Sequence, residues 1–306
     1  MKYVVGFLRS FAAVTQFSAA ALWKGMLALC LSLCTVGLSL AANAHEPTFT
    51  TFDLPGSTGT APQSINAAGA ITGSYTDASF VQQHGFLRAR DGTLTSFDPP
   101  GATTTFPKSI NPAGEVTGYY ADASFVIHGF LRARDGTFTT FNPPGATTTV
   151  PQSINPAGAI TGTDAIFHGF LRARDGTFTT FDPPGSTGTA PQSINAAGAI
   201  TGTYTDASFV QHGFLRARDG TLTSFDAPSA IFITAPSCIN PAGAITGTYA
   251  DANFVNHGFL RARDGTFTTF DPPGSFFTAP ISINSAGAIT GSYFDGSGQH
   301  GFLRSP

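Results

Sequence analysis

From residue 45 onward the apolar positions fall in short runs, and no stretch carries them at a helical period. Residues 61–98 show the pattern. Gln63 to Asn66 is a short run closed by Ala67-Ala68-Gly69, a turn composition. Ala70 to Tyr75 (AITGSY) is β-rich, and His84 to Ala89 (HGFLRA) is its partner. Asp91-Gly92 then separates that run from Thr93 to Asp98 (TLTSFD). Asp-Gly between two strand-like runs predicts a two-residue hairpin with positive φ at both central residues. Pro99-Pro100-Gly101 ends the pairing, because proline has no N–H to give a ladder. The expectation is four antiparallel strands, A to D.

This unit recurs six times. His-Gly-Phe begins at His84, His128, His168, His212, His257 and His300, at spacings of 44, 40, 44, 45 and 43. Ile-Asn-x-x-Gly begins at Ile65, Ile110, Ile154, Ile194, Ile239 and Ile283. A strand-rich period of this length is a propeller signature. The chain from residue 48 opens with TFTTFD, a D strand without A, B or C, and it ends with HGFLR at 300–304, a C strand without D. Pairing residues 48–53 with 300–304 completes the tally and removes two exposed edges. The expected fold is therefore all-β: a six-bladed β-propeller of four-stranded antiparallel blades, closed by pairing of the N-terminal strand with the C-terminal blade.

The first 44 residues are unlike the rest. They carry Lys2, Arg9 and Lys24 and no acid, an apolar run from Met26 to Leu40, and the small-x-small sequence Ala42-Asn43-Ala44. That order reads as a secretory signal peptide, residues 1–44, ahead of a single domain, 45–306. Membrane association would follow only if the segment stayed uncleaved. The expected location is secreted, extracellular or periplasmic. Loss of three basic residues would move the formal charge from −3 to −6, which gives no reason to expect nucleic acid as a partner. Only Cys238 of the three cysteines would remain, so no internal disulfide is available to the mature chain.

INxxGxxTG followed by HGFLRARDGTFTTFDPPG resembles the bacterial HAF extracellular repeats, here with His-Gly-Phe in place of His-Ala-Phe. The resemblance covers roughly residues 46–306. It implies secretion and a propeller-like fold, and it carries no activity or catalytic residues.

The candidate chemistry is repetitive. Each histidine opens strand C, one per blade, and reads first as a structural residue bonding a neighbouring loop. Tyr75, Tyr120, Tyr204, Tyr249 and Tyr293 end strand B, where they could stack on sugars or pack between blades. The Arg-Ala-Arg-Asp-Gly turns read as solvated arginines whose stems cover apolar surface. Blade 3 is shorter than blade 4 by four residues before its histidine and lacks the tyrosine, so a unique pocket is expected beside Asp164 and His168. Asp77, Asp122, Asp206, Asp251 and Asp295 lie with the strand-D acids on one face and the arginines on the other, giving a bipolar ring. No resident cofactor is expected; Ca²⁺ is the one metal such carboxylates would suit, although aspartates of this kind also cap turns through their own backbone. No nucleophile elbow, zinc motif or phosphate loop appears. Near-identical blades favour repeated equivalent surfaces over one catalytic constellation. The expected function is a secreted binding or scaffold module without an evident catalytic site, its partner an extracellular glycan or protein. A multivalent lectin and a glycan-active hydrolase or lyase are the alternatives.

Overall fold

The computed structural model describes residues 50–79 and 82–306. The expected signal segment, 1–44, lies outside them. Asp53–Pro306 forms one compact unit. Among the described residues there is no helix.

The first sheet comprises β1 (Gly59–Ile65), β2 (Ile71–Thr76), β3 (Gln83–Arg88) and β4 (Leu94–Phe97). The second comprises β5 (Ala102–Ile110), β6 (Val116–Asp122), β7 (Ile127–Arg132) and β8 (Phe138–Phe141). The third holds β9 (Thr149–Ile154), β10 (Ile160–Asp164), β11 (Gly169–Arg172) and β12 (Phe178–Phe181). The fourth holds β13 (Ser186–Ile194), β14 (Ile200–Asp206), β15 (Gln211–Arg216) and β16 (Leu222–Phe225). The fifth is β17 (Ile233–Ile239), β18 (Ile245–Ala250), β19 (Asn256–Arg261) and β20 (Phe267–Phe270). The sixth is β21 (Phe277–Ile283), β22 (Ile289–Asp295) and β23 (Gly298–Arg304). Within each unit consecutive strands pair antiparallel, as the sequence pattern requires. Single parallel bridges, Gln211 to Ile233 and Asn256 to Phe277, link the last three units.

Each first strand carries a proline followed by a one-residue bulge, for instance between Pro62 and Ser64. The proline has no N–H to donate, and the bulge absorbs the interruption. The C–D hairpin differs from the expected two-residue turn. Gly92 N–H donates to Ala89 O and Ala89 N–H to Thr93 O, and Gly92 alone has positive φ, at 92°. This is a three-residue loop with a glycine in the left-handed position. The Asp91 carboxylate accepts the Thr93 amide instead of adopting positive φ.

Units pack through one repeated set of contacts. Phe97 of the first unit clusters with Ile110, Val116 and Phe130 of the second, with Leu87 against them. The clusters around Ile154, Ile194 and Ile239 repeat this arrangement. The asparagines of Ile-Asn-x-x-Gly stitch the units along one end. Asn66 Nδ2 donates to Asn111 O at 3.0 Å, Asn111 to Asn155 O at 3.3 Å, and Asn155 to Asn195 O at 3.2 Å. Asn195 to Asn240 O and Asn240 to Asn284 O follow at 3.1 Å each. The oxygen of the same amide holds its own turn, as Asn155 Oδ1 does for the Ala159 amide.

The two ends of the array stand open. Residues 50–53 form no strand, residues 48–49 lie outside the described range, and β23 pairs only with β22. Ile65 is 66% exposed where its counterpart Ile110 is 6%, and Leu303 is 73% exposed. The expected closing pair between 48–53 and 300–304 is therefore absent among the described residues.

Candidate functional site

Antiparallel pairing puts the B–C loops and the D–A loops at one end of the strands, and the A–B and C–D turns at the other. The histidines lie at the first of these ends. His84 Nδ1 is 2.6 Å from Asp98 Oδ2, and His257 Nδ1 is 2.6 Å from Asp271 Oδ2. The aspartate is the one ending strand D, 14 positions on. Its other oxygen reaches the next unit: Asp271 Oδ1 accepts the Thr278 hydroxyl at 2.6 Å. In the second unit Asn142 replaces the aspartate. Its Nδ2 donates to His128 Nδ1, its Oδ1 accepts the Thr149 hydroxyl, and His128 Nε2–H is left to donate to Asp122 at 3.2 Å. These contacts make inter-unit clasps of His84, His128, His168 and His257, whereas both Asp226 oxygens turn to His212.

The tyrosines belong to the same clasp. Each ring lies against its histidine, with centroids 5.0–5.3 Å apart in the five pairs from Tyr75–His84 to Tyr293–His300. Tyr120, Tyr204 and Tyr249 are buried, and the hydroxyls of Tyr75, Tyr120 and Tyr204 bond Ser96, Thr140 and Ser224. The three buried rings offer no face to a sugar; Tyr75 and Tyr293 are half-buried.

The B–C aspartates cap their own loops. Asp122 Oδ1 accepts the amides of Ser124 and Val126, and Asp206 and Asp251 do the same in their units. These bonds stabilise the charged form, so the carboxyls of Asp122, Asp206 and Asp251 sit below the usual range, and the hydroxyl and amide of Ser79 hold Asp77 down likewise. Asp295 is held down to about 2 by the hydroxyl and amide of Ser297. In three units the histidine stands between its B–C aspartate and the one ending strand D, as His257 does between Asp251 at 3.6 Å and Asp271 at 2.6 Å, and among the described residues no three such groups are arranged to hold a metal ion.

The arginines differ from expectation. Arg132, Arg172, Arg216 and Arg261, first in their turns, are buried, with guanidinium carbons 4.8–5.1 Å from the rings of Phe97, Phe141, Phe181 and Phe225 of the preceding unit. A planar cation over an aromatic face explains why a charge is tolerated there. Only the second arginines, such as Arg134 and Arg174, are exposed, each beside an exposed aspartate.

The feature that sequence reasoning missed is at the B–C tips. Phe125 N–H donates to Asp122 O and Asp122 N–H to Val126 O, the same turn that Gly92 closes elsewhere. Phenylalanine occupies the left-handed position: Phe125, Phe167, Phe209 and Phe254 have φ of 60–63°. Among the described residues every other one with positive φ is glycine except Ser229. A bulky residue in this region costs roughly 1–2 kcal/mol. The rings gain little burial in return, being 85%, 65%, 86% and 71% exposed. The sixth unit closes this hairpin differently, with Asp295 paired to Gly298 across a two-residue loop, Gly296-Ser297. The visible signal was Asp-Ala-Ser-Phe repeated between strands, an aspartate turn without its glycine.

In the third unit the hairpin has lost two residues from each strand, so its alternation is intact. Asp164 is buried and accepts the amides of Ile166 and His168, the same turn set deeper. His168 Nδ1 bonds Asp182, and its side chain, 45% exposed, is the most open of the six histidines. The shortened tip docks on the next unit, Thr189 N–H donating to Phe167 O at 2.6 Å. A cleft of about 300 Å³ lies there, bordered by Phe167 and Phe209; neither Asp164 nor His168 lines it.

No protein-family model matches the chain, and no curated protein matches it in sequence. Solved structures do. A catalytically inactive virginiamycin B lyase from Staphylococcus aureus with quinupristin is similar at 13% identity over 86% of each chain, with a TM-score of 0.59. A putative TolB from Agrobacterium tumefaciens is similar at 14% identity over 80% of this chain and 89% of that one, with a TM-score of 0.52. At such identities the likeness concerns the fold, which is β-propeller-like and all-β.

Proposed function

We propose that this chain is a secreted binding or scaffold module whose recognition surface is the rim of B–C loop tips. The observation that carries this reading is the set of four phenylalanines held outward in a left-handed conformation. Strain of this kind persists where the surrounding structure over-determines it, and it clusters at ligand sites. Glycine would fit the same turn without the cost, as Gly92 does in a C–D hairpin. The rim combines these rings with the strand-end carboxylates, and its partner is an extracellular glycan or protein.

The proposed module is a closed six-bladed ring. The repeated inter-unit contacts have complementary unused halves at the two ends. Asn284 Nδ2, Ser282 Oγ and His300 Nδ1 have no partner among the described residues, while their counterparts in earlier units bond the next unit or the strand-D aspartate. Leu303 and Ile65 are the two halves of the apolar contact that Leu87 and Ile110 make internally. Strand pairing of 48–53 with 300–304 would bring Asp53 to His300 as Asp98 stands to His84.

The test of the binding reading is a glycan and peptide array probed with the intact chain and with its Phe125→Gly/Phe209→Gly variant. Hits that the variant loses support the rim. Hits that the variant keeps in full contradict it.

A further inference from the structure

The cleft between the third and fourth units differs from the rest of the rim. It is an open cleft where the β10–β11 hairpin is two residues shorter on each strand, over the start of β13. Its lining contains no charged side chain. Two aromatic rings, Phe167 and Phe209, border it, and both are held outward at positive φ. The polar lining is neutral: the hydroxyls of Thr187, Thr203 and Thr205 and the amide of Gln211. Thr187 donates to main-chain oxygens, at 3.1 Å to Thr205 O and 3.2 Å to Asp206 O, and keeps its lone pairs free. Thr203, Thr205 and Gln211 make no side-chain hydrogen bond among the described residues. The cleft therefore presents aromatic faces, unspent neutral donors and acceptors, and room for one ring-sized ligand, since small-molecule sites begin near 300 Å³.

We infer that this cleft binds one pyranose ring of a neutral saccharide. A pyranose matches each element. Its C–H face covers an aromatic ring, its hydroxyls exchange hydrogen bonds with threonine and glutamine, and it carries no charge that the lining would leave unpaired. A purely apolar ligand would bury the hydroxyls of Thr203 and Thr205 without partners, and an ionic one would find no counter-charge. The inference rests on the binding reading above and deepens it, giving one unit junction a ligand class that the others lack. The junction after the fourth unit shows the contrast. There Gln211 N–H donates to Phe232 O from a full-length hairpin. Phe232 lies parallel to Phe254 at 5.4 Å, so that pair of rings is already stacked on itself.

The experiment is saturation-transfer and amide-shift NMR on the intact chain with methyl glycopyranosides: glucose, galactose, mannose, fucose and N-acetylglucosamine. Millimolar binding by at least one sugar is expected, with amide shifts centred on Thr203, Thr205 and Gln211. Phe209→Gly should weaken it about tenfold or more. Thr205→Val keeps the shape, removes the hydroxyl, and should weaken it as well. Insertion of Tyr-Thr after Thr163 and Val-Gln after Phe167 restores a full-length hairpin and should abolish binding while Phe125 and Phe254 stay untouched. Amide spectra of each variant report folding independently. The inference is overturned if no pyranoside binds the folded chain, or if binding survives the insertion unchanged. In the first case, array hits that still depend on Phe125 would leave the binding module standing without its saccharide site. Loss of all array dependence on the phenylalanines would instead remove the broader reading.

Discussion

Gly213 lies directly under the ring of Phe225: a β-carbon there would stand 2.4 Å from Cε2. This explains the middle residue of His-Gly-Phe. The strand-D phenylalanine crosses over strand C at that point, and only a residue without a side chain lets it through. Gly213→Ala should cost about 3 kcal/mol by overpacking. Gly145→Ala is the control, with φ of 82° but nothing within 4 Å, and should cost only about 1 kcal/mol of backbone strain. Urea midpoints of the two variants separate close approach from conformational preference.

The asparagine stitch makes a second prediction. Asn155 is 3% exposed, donates across to Asn195 O, and accepts the Ala159 amide. Asn155→Ala removes the partner of the half-buried Ala159 amide and leaves the buried Asn195 O with only its bond from Gly198 N–H, and should lower unfolding stability by about 2 kcal/mol. Asn155→Asp keeps the acceptor but loses the donor and adds a buried charge, so it should not rescue. Denaturant unfolding of both variants is the check.

Stability should also vary with pH in a defined way. The Asp295 carboxyl, held at about 2 by Ser297, is depressed below its ordinary 3.8. A depressed carboxyl contributes stability that is present above its unfolded value and lost as pH falls towards the folded one. For His257, burial pulls the ring down, but the hydrogen bonds and charges of Asp271 and Asp251 outweigh it and raise the ring above 6.5. That contribution is complete below 6.5 and is lost as pH rises through the raised value. The urea midpoint should therefore be greatest between about pH 4 and pH 6.5. Asp271→Asn should lower the His257 titration midpoint read by NMR.

Ring closure is tested at a residue that is exposed in the open array. In a closed ring Ile65 is packed as Ile110 is, so Ile65→Asp should destabilise about as much as Ile110→Asp, by roughly 3 kcal/mol or more. Deleting residues 45–56 should likewise lower the melting temperature sharply or cause aggregation. An Ile65→Asp variant as stable as the parent would mean that the ends stay apart.

Much of this architecture is legible in the sequence, because it depends on local chemistry repeated six times. Strand alternation, proline at the D–A loops and glycine at the turns each act within a few residues. The histidine clasp was only half legible. The residue type and position were clear, but its partner, Asp98 for His84, is 14 positions away and set by strand register. The asparagine stitch was hidden because its acceptor is a main-chain carbonyl about one repeat further on, which leaves no mark in residue type. The buried arginines misled for a related reason. Arg132 and Arg134 look alike in sequence, and only the neighbouring Phe97 makes one a buried cation. The exposed phenylalanines ran against the usual expectation that an aromatic residue between strands belongs to the core.

The central claim is that the outward phenylalanines are held for recognition at a cost in stability. Its most direct test is the Phe125→Gly/Phe209→Gly variant, with melting temperature and ligand binding measured on the same sample. Both rings are more than 80% exposed, so truncation removes strain and little packing. The account predicts a melting temperature equal to or above that of the parent, together with loss of the array or saccharide signal. A clear fall in melting temperature with binding retained would show that these rings serve the fold and not a ligand.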